Sequence, residues 1–454
     1  MNSPRKASEP PGSLLKLVLL APLAGLLAGL VGGGFRMSLK AAERFRDHAI
    51  VWAQIEKFPR AFIFVVVCAL AAAIAARLVR KYSPFSAGSG IAHVEAVLNA
   101  DLPPAPLILV PLKFIGGVLA IGAGLALGPE GPSVQIGACI GDFVGKLFRR
   151  NWFDNRVLLA AGAGAGLAAV FNAPIAGAIF VLEELIRRFE TRIAIAALGA
   201  SGAAIWVARL MNGNQPDFFV VPSHYSSPGT GLLFAPLGII LGFAGILYNR
   251  TLLGTLQLGD RLRRFPIEVR AGLVGAAVAM IALARPLSIG TGESLTQLAL
   301  NGSFGFRLLL LIFAFRLGIG ALSYASGTPG GLLAPILALG AISGEACGYA
   351  FRWGFPSLEI EPAAFAVVGM AAFLCAVSRT PLTAIVLVLE MTGNFPVFLP
   401  MLCACFTAMA VPGLLEDPAL YDSLRERVIQ TQIKSNGPST PPRIAIPTPV
   451  ATSS

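Results

Sequence analysis

Long stretches without a charged residue constrain this 454-residue chain more than any other feature. Leu17–Phe35, Val157–Leu182, Leu317–Gly344 and Met391–Leu415 run for 19, 26, 28 and 25 residues with no Asp, Glu, Lys or Arg. A helix of about 20 apolar residues crosses the hydrocarbon of a bilayer. Three further runs, Ala61–Ala76, Phe114–Pro129 and Ala271–Ala284, stop at 14 to 16 residues. In lipid every backbone polar group must be satisfied internally, which leaves helices or a closed barrel. The ten-residue alternation of a barrel is missing from the sequence. Mixed run lengths interrupted by Gly and Pro predict an all-α polytopic membrane protein with many tilted and broken helices.

Composition excludes the soluble alternatives. Charged residues make up 13% of the chain, against about 25% in ordinary domains. Intrinsic disorder requires the opposite balance of high charge and low hydrophobicity. The net charge of +11 lies in short clusters between apolar runs: Arg77, Arg80 and Lys81; Lys146, Arg149 and Arg150; Arg187, Arg188 and Arg192; Arg261, Arg263 and Arg264. Such clusters mark cytoplasmic loops. No basic stretch is interleaved with aromatics, so nucleic acid is not an expected partner. The six cysteines sit in apolar stretches without a Cys-x-x-Cys spacing, and His48, His93 and His224 are scattered. Neither a disulfide framework nor a metal site is expected. The first apolar run lacks a cleavage site and reads as a retained helix.

The two halves of the chain resemble each other. Gly88-Ser-Gly90 to Asn99 corresponds to Gly290-Thr-Gly292 to Asn301 at an offset of 202, and Gly128, Pro132 and Gly137 correspond to Gly331, Pro335 and Gly340 at 203. Gly162–Glu184 matches Gly369–Met391 at nine of 23 positions, at an offset of 207. Three segments in one order point to a duplicated transporter fold with its site between the halves. The expected organisation is a disordered cytoplasmic N-terminus over 1–13 and a first membrane repeat over 14–211. A polar connecting loop over 212–230 faces outside, followed by a second repeat over 231–431 and a disordered tail over 432–454. Gly25, Gly29 and Gly33 fall at every fourth residue, a spacing that lets helices approach closely in lipid.

Four motifs carry chemistry. Gly128-Pro-Glu-Gly-Pro132 places an ionisable group at membrane depth, where a carboxylate is costly and by default functional. A glycine turn followed by proline predicts a helix start, over Ser133–Gly141, so Glu130 would sit beside free amides that favour negative charge. A small anion fits the same place, and protonation would release the carboxylate from it. A plain helix cap is the alternative. Ser89, in Gly88-Ser-Gly90, either caps the helix that follows or turns its hydroxyl to an anion, and the cap is favoured. Gly327-Thr-Pro-Gly-Gly-Leu-Leu-Ala-Pro335 repeats the turn, proline and helix layout, with the amides of Leu332 and Leu333 short of intrahelical acceptors. Glu183 and Glu184 close the 26-residue run. Adjacent residues do not share a helix face. Glu183 has the repeat mate Glu390 and reads as a structural cap or ion pair. Glu184 faces Met391 in the repeat and is the better functional candidate, with pairing to Arg187 or Arg188 as the alternative.

Together these motifs resemble the CLC chloride channels and proton/chloride antiporters. Gly88-Ser-Gly-Ile91, Gly128-Pro-Glu-Gly-Pro132 and Gly331-Leu-Leu-Ala-Pro335 are similar to that family's three filter motifs, in order. Phe171-Asn-Ala-Pro174 through Glu184 and Pro418-Ala-Leu-Tyr421 look like its later segments. The resemblance implies two inverted repeats per subunit, a homodimer in a cell inner membrane with both termini cytoplasmic, and chloride exchanged for protons without a cofactor. It implies Glu130 as the external gate and proton acceptor, Glu184 as the internal proton-transfer group, and Ser89, Tyr421 and the amides of Leu332 and Leu333 as anion ligands. A passive chloride channel is the runner-up. Pro129 stands where the family usually has a basic residue, Ala92 where it has proline, and Leu333 where it has an aromatic. An enzyme is not expected. Gly199-Ala-Ser-Gly202 matches an intramembrane serine-protease pattern, but that chemistry needs a histidine base beside Ser201.

Overall fold

The structure, a computed structural model, describes residues 12–55, 58–220, 228–262 and 264–436. The first half contains α1 (Leu14–Ile55), α2 (Pro59–Tyr82), α3 (Ile91–Leu98), α4 (Leu109–Gly122), α5 (Glu130–Leu147), α6 (Trp152–Phe171), α7 (Pro174–Phe180) and α8 (Thr191–Asn212). After the short α9 (Pro228–Leu232), the second half contains α10 (Phe234–Arg261), α11 (Ile267–Ala284), α12 (Glu293–Leu300), α13 (Phe306–Ala325), α14 (Leu333–Gly354), α15 (Pro362–Ser378), α16 (Pro381–Thr392) and α17 (Phe398–Leu414). The final helix, α18, is Leu420–Asn436. Eight helices among the described residues are long and apolar enough to cross a membrane. Their outward faces carry Leu30, Trp206, Phe243, Leu322 and Phe406, each at least half exposed, as lipid contact requires.

The duplication extends to the backbone. A 3₁₀ turn precedes α3 at Pro84–Ser86 and α12 at Pro286–Ser288. The caps of those helices, Gly90 and Gly292, are both left-handed, at φ 86° and 95°, a conformation open to glycine without a Cβ penalty. Asn172 and Arg379 close α6 and α15 in the same left-handed geometry. Helix approach is close at equivalent places as well. A Cβ at Gly137 would strike the Gly162 carbonyl, and one at Gly340 would strike that of Gly369. Gly25 and Gly29 likewise press α1 onto Ala200 and Ala204 of α8, which explains their spacing.

Several long runs prove to be broken. The 26-residue run is α6 and α7, parted at Asn172 and Ala173, and the 28-residue run ends α13 and begins α14. Proline at the first position of α7 and of α16 sets each restart. The helix expected over Ser133–Gly141 begins earlier and ends later, at Glu130 and Leu147, because Pro132 fits its first turn. Helix α18 continues to Asn436, into the stretch expected as a tail. Residues 1–11 and 437–454 of the expected tails, His224 and residues 221–227 of the polar loop, and Arg263 of its basic cluster lie outside the described residues.

Candidate functional site

Two loops from opposite halves meet back to back. The Gly128 amide donates to the Gly331 carbonyl (2.9 Å) and the Gly331 amide donates to the Gly128 carbonyl (2.6 Å). These are repeat mates, so the exchange lies on the pseudo-twofold axis. A second joint forms beside it, where Gly88 donates to Thr328 and Gly330 donates to Gly88, both at 3.1 Å. The starts of α3, α5 and α14 therefore converge on one buried place.

The proline after each break matters chemically. Pro132 and Pro335 sit at the third position of α5 and α14 and have no N–H to give. Ser133 and Ile336 already donate to the carbonyls of Pro129 and Leu332. What remains free is a small set of amides in each first turn, pointing at the junction. Glu130 is fully buried, and its carboxylate folds between Gly128 and Gly331, where a Cβ on either glycine would strike it. The carboxylate faces the amides of Leu333 and Ala334 across the junction, without closing a hydrogen bond to either in full geometry. Leu332 is the cap residue of α14. Ala334 was not singled out in the sequence, although it lies in the same turn before Pro335 and its amide is free for the same reason.

Ser89 is buried and its hydroxyl has no partner. It does not cap α3, whose cap residue is Gly90, so the favoured expectation for Ser89 is corrected. Its amide donates instead to the Tyr324 hydroxyl (3.4 Å), which leaves the side chain free. A Cβ at Gly131 would strike the Ser89 hydroxyl oxygen, so Ser89 adjoins the start of α5. Tyr421 enters from the start of α18, is 1% exposed with an unpartnered hydroxyl, and is within electrostatic reach of Glu130 and Glu184. Orphaned buried hydroxyls are rare and call for a ligand or water.

The adjacent glutamates part company as their residue pattern predicted. Glu183 accepts from the amides of Leu382 (3.0 Å) and Thr383 (2.6 Å) at the start of α16. Its mate Glu390 accepts from Ile175 (3.1 Å) and Ala176 (2.8 Å) at the start of α7. Each half thus caps a helix of the other. Glu184 turns inward from a π-helical turn at Val181–Ile186 and is buried, with Arg187 3.6 Å away. Arg187 also pairs with Glu95 (3.5 Å) and Asp422 (2.6 Å), and Arg425 pairs with Glu95 (3.0 Å). Glu95 and Asp422 were invisible as site residues in the sequence, since α3 and α18 meet only in the fold. Glu184 also lines a cavity of about 780 Å³ with Glu183, Arg187, Arg379, Asp417 and Asp422. It therefore stands between the packed interior and an open mouth.

The protease expectation gains no support from this geometry. Ser201 is buried on α8 with an unpartnered hydroxyl, while His48 meets the Arg44 carbonyl and His93 meets Gln135. All six cysteines are free.

A duplicated helical membrane protein whose broken helices aim free amides and hydroxyls at one buried junction belongs to the ion-transport class. The profile of the voltage gated chloride channel family matches residues 71–413, and the chain belongs to that family. It is 38% identical over 428 residues to the H(+)/Cl(-) exchange transporter ClcA of Salmonella arizonae and of Salmonella typhimurium, covering 92% of this chain and 90% of each relative. Its fold is similar to a slow cyanobacterial Cl-/H+ antiporter (TM-score 0.87, 31% identity, 92% of this chain and 99% of the other). A eukaryotic CLC transporter is similar at TM-score 0.76 and 25% identity, over 92% of this chain and 74% of that one.

Proposed function

We propose that the protein exchanges chloride for protons across a membrane, with Glu130 and Glu184 as the outer and inner proton acceptors. The observation that carries this reading is the seat of the Glu130 carboxylate. It occupies the cradle of amides at the start of α14 that a monovalent anion also fits. Only one negative occupant fits there at a time. Protonation cancels the attraction of carboxylate to amides and frees the cradle for chloride, which couples the two ions. Ser89, Tyr421 and the amides of Leu332 and Leu333, joined by that of Ala334, are assigned as the anion ligands.

The inner end supports the same reading. Glu184 borders the cavity beside Arg187 and Arg188, on the side where Gly12 and Arg192 meet Asp154 and the basic clusters gather. The positive-inside bias assigns that side to the cytoplasm, together with both termini. Repeats over 14–211 and 231–431, a homodimer, and residence in a cell inner membrane complete the assignment. Transport by binding and release asks for no chemical step on a substrate, so no enzymatic activity is assigned.

Purified protein in liposomes tests the exchange directly. A chloride gradient should drive protons uphill in the opposite direction, and a proton ionophore should accelerate chloride efflux. Chloride efflux with no proton signal would replace this reading with a passive channel. Repeating the efflux with nitrate and fluoride measures selectivity. Light scattering in detergent should return twice the chain mass of 47.2 kDa.

A further inference from the structure

The short helices α3 and α12 are repeat mates that open with opposite chemistry. Ser89 stands before α3, and its mate Thr291 stands before α12. The Ser89 hydroxyl has no partner. The Thr291 hydroxyl accepts from the Glu293 amide (3.4 Å) and faces the Glu43 carboxylate of α1. The first residue of α3 is the apolar Ile91, whereas that of α12 is Glu293. One approach to the junction ends in a free hydroxyl and the other in a carboxylate, and the anion reading uses only the first.

Glu293 is exposed, Glu130 is 0% exposed, and the two carboxylates are within electrostatic reach of each other. Both Glu130 oxygens lack a partner. A fully buried acid gains or loses a proton only through a neighbouring group or a water that reaches it. Helix α1 brings Glu43, Lys40 and Arg36 around Glu293, and the segment after α8 brings Asp217, which pairs with Arg36. Arg316 of α13 holds the turn before Glu293 by donating to the carbonyls of Gly290 (2.9 Å) and Thr291 (3.0 Å). Arg46 of α1, 9% exposed and with an unpartnered Nη1, lies against the same Gly290. The Phe219 amide donates to Gln297 of α12 (2.9 Å), which donates back to the Phe219 carbonyl (2.8 Å). That segment belongs to the polar loop expected to face outside, so α12 opens on the outer approach to Glu130.

We propose that Glu293 is the outer proton-entry residue, taking protons from external water and passing them to Glu130. The proton leaves a carboxyl oxygen of Glu293, crosses directly or through one water, and joins a carboxylate oxygen of Glu130. External hydronium then restores the first acid. Thr291 and Glu43 hold the start of α12 in place for this step. The proposal rests on the exchange reading for Glu130 as the gate. A negative neighbour also favours the protonated gate, so Glu293 sets both how fast and at what outer pH the cradle opens.

Chloride efflux from liposomes holding the full-length protein in one orientation tests this, with pH stepped on one side at a time. Glu293→Gln should slow the response to an outer acid step about tenfold. It should also move the outer-pH midpoint of efflux about 0.5 to 1 unit toward acid, because the negative neighbour is gone. The response to an inner acid step should match wild type. Glu293→His carries protons without the negative charge, so its response rate should return to within about threefold of wild type while its midpoint stays acid-shifted. A Glu293→Gln protein with wild-type outer response and midpoint overturns the proposal, as does one slowed equally from both sides. A Glu293→His protein as slow as Glu293→Gln overturns the relay as well, and decides alone should the glutamine variant not be monodisperse. Wild-type protein that passes chloride under outer-pH control but moves no protons defeats the exchange reading alone, since the pH steps judge Glu293 without it. Wild-type efflux indifferent to outer pH removes Glu130 as the gate and this proposal with it.

Discussion

The beginnings of α5 and α14 follow one backbone course with different side chains. Gly128 pairs with Gly331, Pro132 matches Pro335, and both turns leave free amides aimed at the junction. Within these turns Glu130 stands where the second half has Leu333. The same contrast recurs at the inner end, where Glu184 stands against Met391. Matched acids behave otherwise, because Glu183 and Glu390 perform one reciprocal capping task. The difference teaches that symmetry builds the cradle and its supports, and that the unmatched acids stand where the symmetry is broken. A cradle plugged from both halves would hold two like charges in one place.

Breaking the asymmetry at its centre should have the largest effect. Glu130→Gln removes the carboxylate that occupies the junction. Proton movement in a liposome pH assay should fall by about two orders of magnitude while chloride still passes. The converse change, Leu333→Glu, places a second carboxylate opposite the first. Chloride efflux should drop about tenfold or more as the two acids crowd the anion path. Glu184→Gln comes next, and should cut the proton-to-chloride ratio about tenfold with efflux within about threefold of wild type.

The matched pair offers a smaller and symmetrical test. Glu183→Gln and Glu390→Gln each weaken two bonds at a helix start, so each should cost about 1–2 kcal/mol of stability. Thermal melts of the two variants should coincide, with coupling intact in both. Unequal losses would show that the two caps are not equivalent. The least effect is expected from Ser201→Ala, which removes an unpartnered hydroxyl from a packed helix face. Its efflux and melting should match wild type within error, and no loss of any peptidase activity should follow.

Much of this is legible in the sequence. Glycine and proline spell out the helix starts because they restrict the backbone locally, whatever packs around them. The repeat offsets then separated matched from unmatched acids, which is how Glu183 and Glu184 were told apart. Other features depend on contacts distant in the chain. Glu95 carries no signal in the sequence, and only the fold brings Arg425 of α18 within 3.0 Å of it. Ser89 was read as a cap because caps are local, while the Tyr324 hydroxyl that takes its amide lies 235 residues away.

The paired amides of Gly128 and Gly331 have a kinetic consequence. Each donates to the carbonyl of the other, so neither bond outlasts the other when the two halves separate. In hydrogen exchange one opening exposes both amides, so the two should show the same protection once each is corrected for its own intrinsic rate. That shared protection reads the free energy of parting the halves at their axis, measured without a gradient or an ion.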